Sequence, residues 1–262
     1  MCRMMIMVGE RSPKETNTAL LEFRKFAKFG CVGPGWVKGH KDGWGMVFYA
    51  NGRIGKVTKR EKDAYTDPEF PRATTRVSGS VPDVIMVHLR KASVGKKSLP
   101  NTHPFVYGPY ALCHNGSIRK SESIAVPKPT AKFVKGTTDT ERFFFRLMAK
   151  IGIRPLSASA LRKKFVGEIK AIRKAHDYTS MNMFLTDGKT IFALRDLNTQ
   201  NDLVRKEHLA SYYTLYLGRD SKDNFAVSSE KIKIKGMKWR LMANRELLEI
   251  DVFSKKIKTY RM

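Results

Sequence analysis

Short apolar strands recur along the chain, and the order in which helices interrupt them is the strongest constraint on its fold. A strand is predicted at residues 2–8, and a helix follows it. Buried strands are predicted next at 83–90 and 109–116, and helices at 138–151 and 157–176 separate them from a strand-rich last third. This order predicts a layered α+β fold.

Local signals mark the ends of several elements. Ser12 and Pro13 are typical of a helix start. Asn51 and Gly52 supply the positive φ angles of a tight hairpin turn, and we expect a polar loop through Pro71 after this hairpin. The remaining strands are predicted at 180–187, 189–196, 212–220, 224–230, 246–253 and 256–260.

The composition favours one compact domain. The chain has 262 residues, of which 42% are hydrophobic, enough for a buried core. No Pro/Gly/Ser-rich linker divides it, so we expect a single domain over residues 1–262. No apolar stretch approaches the roughly 20 residues of a membrane span, and no signal peptide is evident. We therefore expect a cytoplasmic protein that does not bind membranes.

The cysteines and histidines do not form a metal-binding pattern. Cys2, Cys31 and Cys113 contain no C-x-x-C pair, which argues against a disulfide framework and a structural zinc site. The histidines lack a ligand spacing such as H-E-x-x-H. We expect no metal and no other cofactor.

The net charge is strongly positive, +26 at pH 7. The excess of lysine and arginine is spread along the chain and does not form a dense tail, which argues against nucleic acid as the partner. Scattered lysines can still converge on one face after folding, so a basic binding module remains an alternative.

Cys2 directly follows the initiator methionine, and removal of that methionine would leave a chain that begins with cysteine. One residue would then carry both a thiol and a free α-amine. An α-amine has a pKa of about 7.7 to 8.0 and can act as general base for the thiol nucleophile. The alternative is a cysteine that packs as a small apolar residue in the first strand.

Five motifs follow Cys2 in a fixed order. They are KDGWGMVFY at 41–49, HLRKAS at 88–93, NTHPF at 101–105, HNGSI at 114–118 and TTDTE at 137–141. With Cys2 they resemble the class II glutamine amidotransferase domain, an N-terminal-nucleophile hydrolase, and particularly its free-standing members. The resemblance extends from Cys2 to about Glu230. It implies a four-layer αββα sandwich and hydrolysis of a γ-glutamyl amide through a Cys2 thioester.

The resemblance implies two residues that bind the charged end of the substrate. Arg90 would bind the α-carboxylate through two parallel hydrogen bonds, which guanidinium geometry favours. Asp139 would receive the α-ammonium group. The residues alone leave other roles open, because Arg90 can also cap a strand at the surface. Thr138 and Glu141 likewise fit a capping box at the start of the next helix.

The resemblance also implies an oxyanion hole and a substrate pocket. Asn115 would offer its side-chain amide, and Gly116 its backbone N–H, to the oxygen that becomes negative when the thiolate attacks. An ordinary Asn-Gly turn is the alternative for this pair. For Trp44, a place in the apolar core is an equal alternative to a place in the pocket. The implied pocket residues are Gly43, Trp44, Asn101, Thr102 and His103.

Two other groups of polar residues are not expected to take part in the chemistry. Cys113 and His114 are adjacent in a predicted strand, so their side chains point to opposite faces and cannot easily form a nucleophile–base pair. The SSE motif at 228–230 resembles a strand end of the family, and we expect it to contribute packing.

The destination of the released nitrogen stays open, because the chain has no residues left for a synthase site. The resemblance allows a glutaminase subunit that acts on glutamine and passes ammonia to a separate synthase. It equally allows a free-standing hydrolase of another γ-glutamyl amide, as in the branch of the family that acts in ergothioneine synthesis. A non-catalytic basic binding protein on the same scaffold is the third alternative.

Overall fold

Two antiparallel β-sheets form the centre of the chain, and the computed structural model describes residues 2–262. The strands are β1 (Arg3–Val8), β2 (Gly43–Ala50), β3 (Arg53–Ile54), β4 (Thr58–Arg60), β5 (Val84–Arg90), β6 (Phe105–Tyr107), β7 (Tyr110–Asn115), β8 (Asn182–Thr186), β9 (Thr190–Arg195), β10 (Tyr216–Arg219), β11 (Phe225–Ser228), β12 (Lys238–Leu241), β13 (Glu246–Asp251) and β14 (Ile257–Arg261). The helices are α1 (Pro13–Arg24), α2 (Phe26–Phe29), α3 (Glu69–Gly79), α4 (Lys128–Ala131), α5 (Asp139–Ile151), α6 (Ala158–Ala175) and α7 (Asp202–Lys206).

The two sheets divide the strands between them. The first sheet has eight strands in the order β12-β10-β11-β1-β5-β2-β3, with β4 also paired to β2. The second sheet has six strands in the order β14-β13-β9-β8-β7-β6. In the first sheet β1 pairs with β5 on one side and β11 on the other. The strand that follows Cys2 is therefore held from both sides.

Three apolar layers show how the sheets and helices stack. The layer between the two sheets contains Met4 and Met86 from the first sheet and Phe184 from the second. A second layer packs α1 and α3 against the outer face of the first sheet. A third layer packs α5 and α6 against the outer face of the second sheet. The order is helix, sheet, sheet, helix, which confirms the predicted layered α+β sandwich.

The layer between the sheets changes from apolar to polar toward one end. Side chains alternate along a strand, so every second residue faces the opposite sheet. The last inward residues of β5 are His88 and Arg90, and the last inward residue of β7 is Asn115. At the same end, Cys2 precedes β1 and Asn182 begins β8. Polar side chains thus collect where the apolar layer stops.

The predicted helices are confirmed, and capping side chains account for where they begin. At the start of α1, Ser12 and Glu15 bond each other's backbone N–H groups. The α5 and α6 helices begin after Thr138 and Ser157, whose hydroxyl groups accept N–H groups of the first turn. None of the helices within residues 2–262 is long and apolar enough to cross a membrane.

The region after the first hairpin differs from the sequence prediction. The sequence predicts a polar loop through Pro71 and no helix between this loop and the strand at 83–90, but the structure has helix α3 from Glu69 to Gly79. Phe70, Ala73 and Val77 face the first sheet at helical spacing. Pro71 and the threonines between these residues hide the pattern, and packing against the sheet outweighs their weak helix propensity. The edge strand β12 also escapes prediction, because it is mostly exposed and lacks an apolar run.

Phe184 tests the layer between the sheets, where its ring is fully buried. Phe184→Ala should lower the free energy of unfolding by about 3 to 5 kcal/mol, because it removes apolar contacts and leaves a cavity. Urea unfolding followed by circular dichroism measures the change. Phe253 is 56% exposed and provides the control, since Phe253→Ala should change stability by less than about 0.5 kcal/mol. Equal losses in both variants would contradict the placement of Phe184.

Candidate active site

Cys2 lies at the polar end of the layer between the sheets and is nearly buried. Its backbone N–H donates to Oδ1 of Asn115 at 3.1 Å, and this contact joins the two sheets. Its thiol approaches the carbonyl oxygen of Lys91 at 3.6 Å. Met1 lies outside the described residues, so its removal stays a prediction.

Asn115 ends β7, and Gly116 follows it. The Asn115 side chain is fully buried, and its Nδ2 has no hydrogen-bond partner among residues 2–262. A Cβ atom at Gly116 would lie 1.8 Å from the carbonyl oxygen of Ser180, so this position has room only for glycine. The two residues therefore place a buried, unpaired amide donor beside Cys2.

Arg90 ends β5, and its side chain enters the same region. Its guanidinium group donates to the carbonyl oxygens of residues 94–96 at 3.0 to 3.2 Å. Burial lowers the pKa of Arg90, whereas the negative charges of ionised Cys2 and Asp139 act to raise it. Arg90 therefore anchors the loop that follows β5 and lies within electrostatic range of both groups.

Asp139 is the first residue of α5, and it is buried. Its Oδ2 accepts the Ile118 N–H at 2.6 Å, and its Oδ1 accepts the Thr140 N–H at 2.8 Å. The carboxylate thus ties the helix start to the segment just after Gly116. A carboxylate has about four acceptor positions, so it can still accept hydrogen bonds from an ammonium group.

The start of α5 forms only half of the predicted capping box. The Thr138 hydroxyl accepts the Glu141 N–H at 3.3 Å, as the sequence predicts. The Glu141 carboxylate, however, accepts the N–H groups of Lys135 and Gly136 instead of that of Thr138. Burial raises the pKa of Glu141, and these two hydrogen bonds oppose the increase. Glu141 therefore fixes the loop that leads into Asp139, the first residue of the helix.

Asn101 and Thr102 belong to the loop that Arg90 anchors. Asn101 donates from Nδ2 to the Lys96 carbonyl oxygen at 2.9 Å, and its Oδ1 accepts the Thr137 N–H at 2.7 Å. Thr102 donates to the Ser98 carbonyl oxygen at 2.9 Å. These hydrogen bonds hold the loop against the segment that precedes α5.

The β2 strand borders this loop through glycines. Gly43 has a φ angle of +147°, which favours glycine. A Cβ atom at Gly45 would lie 2.0 Å from the carbonyl oxygen of His103, so the absence of a side chain lets the loop approach the strand. Trp44 points to the other face of the sheet, where its Nε1 donates to Asp67 at 3.0 Å in the core beneath α3. This placement supports the core alternative for Trp44 over the pocket role.

Three buried histidines pack beside the site. The rings of His88 and His103 stack with centroids 4.2 Å apart, and neither ring has a hydrogen-bond partner among the described residues. Burial lowers the pKa of His88 to about 3 and the pKa of His103 well below its usual range. His114 donates from Nε2 to the Ser180 carbonyl oxygen at 2.9 Å, so its Nδ1 accepts the Thr140 hydroxyl at 2.8 Å.

Cys113 and His114 point to opposite sides of β7, as the sequence predicts. Cys113 lies in the apolar layer between the sheets, and His114 points toward α5 through its bond to Thr140. Burial raises the pKa of the Cys113 thiol well above its ordinary value, so this thiol is poorly suited to act as a nucleophile.

Arg3 is not among the sequence-predicted site residues, yet it fixes the position of Cys2. Its guanidinium group is buried, donates to the Cys2 carbonyl oxygen at 3.0 Å, and also bonds the Cys31 carbonyl oxygen and Glu230. The group lies over the ring of Tyr212, 4.2 Å from its centroid. The one signal in the sequence is an arginine inside an otherwise apolar strand.

The SSE motif at 228–230 anchors the strand that follows Cys2. Ser229 Oγ accepts the Met4 N–H at 2.7 Å and donates to the Met4 carbonyl oxygen at 3.0 Å. Glu230 pairs with Arg3 and accepts the Cys31 N–H at 2.8 Å. The motif therefore positions the site in addition to the packing role that the resemblance implies.

Comparison with known sequences shows which family the chain belongs to. The sequence model of the family described as "Glutamine amidotransferases class-II" matches residues 1–251. The chain belongs to this family. The Escherichia coli (strain K12) protein "Putative glutamine amidotransferase YafJ" is 30% identical over 181 residues, which cover 64% of this chain and 64% of that protein. An uncharacterised protein of Methanocaldococcus jannaschii is 29% identical over 170 residues, which cover 63% of this chain and 45% of that protein. The chain spans about half to two thirds of the length of the curated relatives it matches.

Solved structures share the fold of the whole chain. The glutamine aminotransferase class-II domain protein of Silicibacter pomeroyi has a TM-score of 0.59 at 20% identity and is covered to 99% in both chains. The glutamine phosphoribosylpyrophosphate amidotransferase of Bacillus subtilis has a TM-score of 0.60 at 16% identity, covering 100% of this chain and 49% of that one. At these identities the likeness establishes the sandwich fold and no finer property.

Glu230 tests the contacts that hold Arg3. Glu230→Ala should lower the free energy of unfolding by about 3 kcal/mol, because it leaves the buried guanidinium of Arg3 without its carboxylate. Chemical denaturation measures the loss. Glu69→Ala is the matched control, because Glu69 pairs with Arg76 on the surface, where ion pairs contribute little to stability. A loss at Glu230 no larger than at Glu69 would contradict the role given to Arg3.

His88 should make stability depend on pH. Its pKa is lowered from 6.5 to about 3 in the folded protein, so the unfolded chain binds a proton that the folded chain excludes. The contribution of neutral His88 to stability is fully present above about pH 6.5 and is lost as the pH falls toward the lowered value. His88→Phe should reduce the acid decline of the unfolding free energy by up to about 1.4 kcal/mol per pH unit between about pH 6 and pH 4. Urea titrations at several pH values in this range measure how steeply the free energy of unfolding falls with pH. A variant whose free energy is shifted by the same amount at every pH would contradict the prediction.

Proposed function

We propose that the chain hydrolyses a γ-glutamyl amide through a thioester on Cys2. The observation that supports this most is the hydrogen bond from the Cys2 nitrogen to Asn115 Oδ1, which leaves Asn115 Nδ2 as an unpaired donor among the described residues. After methionine removal, the Cys2 nitrogen would be a free α-amine beside its own thiol. One asparagine would then orient the general base and offer a donor to the oxyanion.

In the proposed reaction the α-amine of Cys2 takes the thiol proton, and the thiolate attacks the γ-carbonyl carbon. Asn115 Nδ2 and the Gly116 N–H would stabilise the negative oxygen of the tetrahedral intermediate. The protonated α-amine of Cys2 gives its proton to the leaving amine as the C–N bond breaks, which leaves a γ-glutamyl thioester on Cys2. The α-amine of Cys2 then deprotonates a water molecule that attacks the thioester. Glutamate leaves, and the thiol of Cys2 is regenerated.

The charged end of the substrate would bind between Arg90 and Asp139. These groups have opposite charges, as an α-carboxylate and an α-ammonium require, and they lie within electrostatic range of each other and of Cys2. Trp44 is left out of the proposed pocket because its side chain lies in the core. The proposed pocket wall consists of Gly43, Asn101, Thr102 and His103.

Glutamine is the first candidate substrate, and a larger γ-glutamyl amide is the second. A groove of about 740 Å³ borders the segments that follow Arg90 and Gly116, and Ser93, Ser117 and Asp177 line it. Grooves of this volume accommodate ligands well above the size of one amino acid. The second candidate would have to extend from Cys2 past Ser117 into this groove.

If glutamine is the substrate, the proposed acceptor of the ammonia is a separate synthase subunit. The proposed unit is one domain over residues 1–262. A cytoplasmic location fits the three free cysteines of the chain, because disulfides are rare in reducing compartments. Neither a membrane nor a nucleic acid is needed for this activity.

Mass spectrometry with an electrophilic glutamine analogue, 6-diazo-5-oxo-L-norleucine, tests the proposal. The intact mass reports whether Met1 has been removed, and peptide mapping locates the adduct. We expect a processed chain that gains one adduct on Cys2, because the thiol is the nucleophile and its own α-amine is the base. Cys2→Ala should abolish the adduct.

The other two cysteines provide matched controls. Cys31→Ala removes an exposed thiol, and Cys113→Ala removes a buried one. Both variants should still gain the adduct on Cys2. Retention of Met1, or an adduct on Cys31 in place of Cys2, would overturn the proposed mechanism.

A further inference from the structure

Asn182 lies directly opposite Asn115 on the neighbouring strand of the second sheet. Residues that oppose each other on antiparallel strands share a face, and their Cβ atoms are about 4.5 to 5.5 Å apart. The Asn115 side chain crosses the layer between the sheets to reach the Cys2 nitrogen. Asn182 therefore faces the same layer, beside Asn115 and at the end that holds Cys2.

One hydrogen bond orients the fully buried amide of Asn182. Its Oδ1 accepts the Asp196 N–H at 2.9 Å, which identifies the oxygen end of the amide. The NH₂ end must then point away from Asp196, and Nδ2 has no acceptor among the described residues. Because nearly all buried polar groups in folded proteins have partners, this unpaired donor requires an explanation.

Asn115 and Asn182 therefore carry amide donors without partners among residues 2–262, on facing positions of neighbouring strands at the end of the layer that holds Cys2. A pair of donors suits an acceptor atom, and an oxygen that gains negative charge during a reaction is the acceptor that such donors stabilise most. We propose that Asn182 Nδ2 is a further donor to the oxyanion formed at Cys2, in addition to Asn115. This proposal rests on the proposed function.

The segment that precedes Asn182 is locked to the segment that follows Asn115. The Ser180 carbonyl oxygen lies so close to Gly116 that a Cβ atom there would be 1.8 Å away. Thr179 Oγ1 accepts the Ser117 N–H at 3.0 Å. Asn182 begins a strand whose preceding segment is packed tightly against its neighbour, so its amide needs no rearrangement when charge develops. This preorganisation is the condition for effective stabilisation.

Steady-state hydrolysis of L-γ-glutamyl-p-nitroanilide by the full chain tests the role of Asn182. Asn182→Ala should lower kcat by about 100-fold, with KM within about threefold, because the hydrogen bond strengthens mainly in the transition state. Asn182→Asp keeps an acceptor for the Asp196 N–H but removes the donor, so it should lose at least as much. If Asn182→Asp keeps the original kcat, Asn182 serves the fold alone and the proposal is overturned.

Asn224→Ala is the matched control. Asn224 is also buried, and its amide donates to Asp220 at the opposite end of β1, beside Gly9. This variant should keep kcat and KM within about twofold of the original values, even if its melting temperature falls as far as that of Asn182→Ala. A comparable loss of kcat in both variants would assign the effect to stability and overturn the proposal.

Failure of this proposal and failure of the proposed function give different results. If the unmodified sequence cleaves the anilide and Asn182→Ala keeps its kcat, only the role of Asn182 is overturned. If Cys2 is labelled by the glutamine analogue but the anilide is not cleaved, the rate of adduct formation gives the same comparison between variants. If the chain neither cleaves the anilide nor gains the adduct, both proposals fall.

Discussion

The hydrogen bond between the Cys2 nitrogen and Asn115 Oδ1 connects the two sheets where the apolar layer between them ends. For this contact to form, β1 must begin and β7 must end at the same depth in the sandwich. The pairing of β1 with β5, and of β7 with β8, sets that depth through continuous registers. Strand register, which carries no chemistry of its own, therefore determines the geometry around Cys2.

Buried cations at this end are kept in place by different kinds of partner. Arg3 pairs with the carboxylate of Glu230 and donates to the carbonyl oxygens of Cys2 and Cys31. Arg90 donates to three carbonyl oxygens of its own loop and has the carboxylate of Asp139 within electrostatic range. A buried charge without such partners strongly destabilises a fold. The contacts that stabilise Arg3 and Arg90 also hold the backbone at Cys31 and at residues 94–96. Loss of either cation would therefore change the shape of the site as well as its charge.

The sequence predicts most of the fold because its strands are apolar and its long helices have clear caps. Helix α3 escapes prediction because Pro71 and several threonines interrupt a stripe that only contact with the sheet reveals. In the site, Cys2 and the motif residues stand out by their types and order, whereas Arg3 and Asn182 are single polar residues within apolar strands. Their importance depends on which residues face them across a strand pairing or a layer, and those neighbours are distant in sequence.

Four buried side chains with nitrogens unpaired within residues 2–262 lie at one end of the layer between the sheets. Asn115, Asn182, His88 and His103 have buried nitrogens without partners among the described residues, and these side chains lie at the end that holds Cys2. The remainder of the layer is apolar and can supply the free energy that offsets them. Apolar residues at these four positions would avoid the cost of burying polar groups without partners, so stability alone does not account for the polar side chains. Under the proposed function, the γ-carbonyl oxygen of the substrate would accept from the asparagine amides at this end and so offset part of their cost.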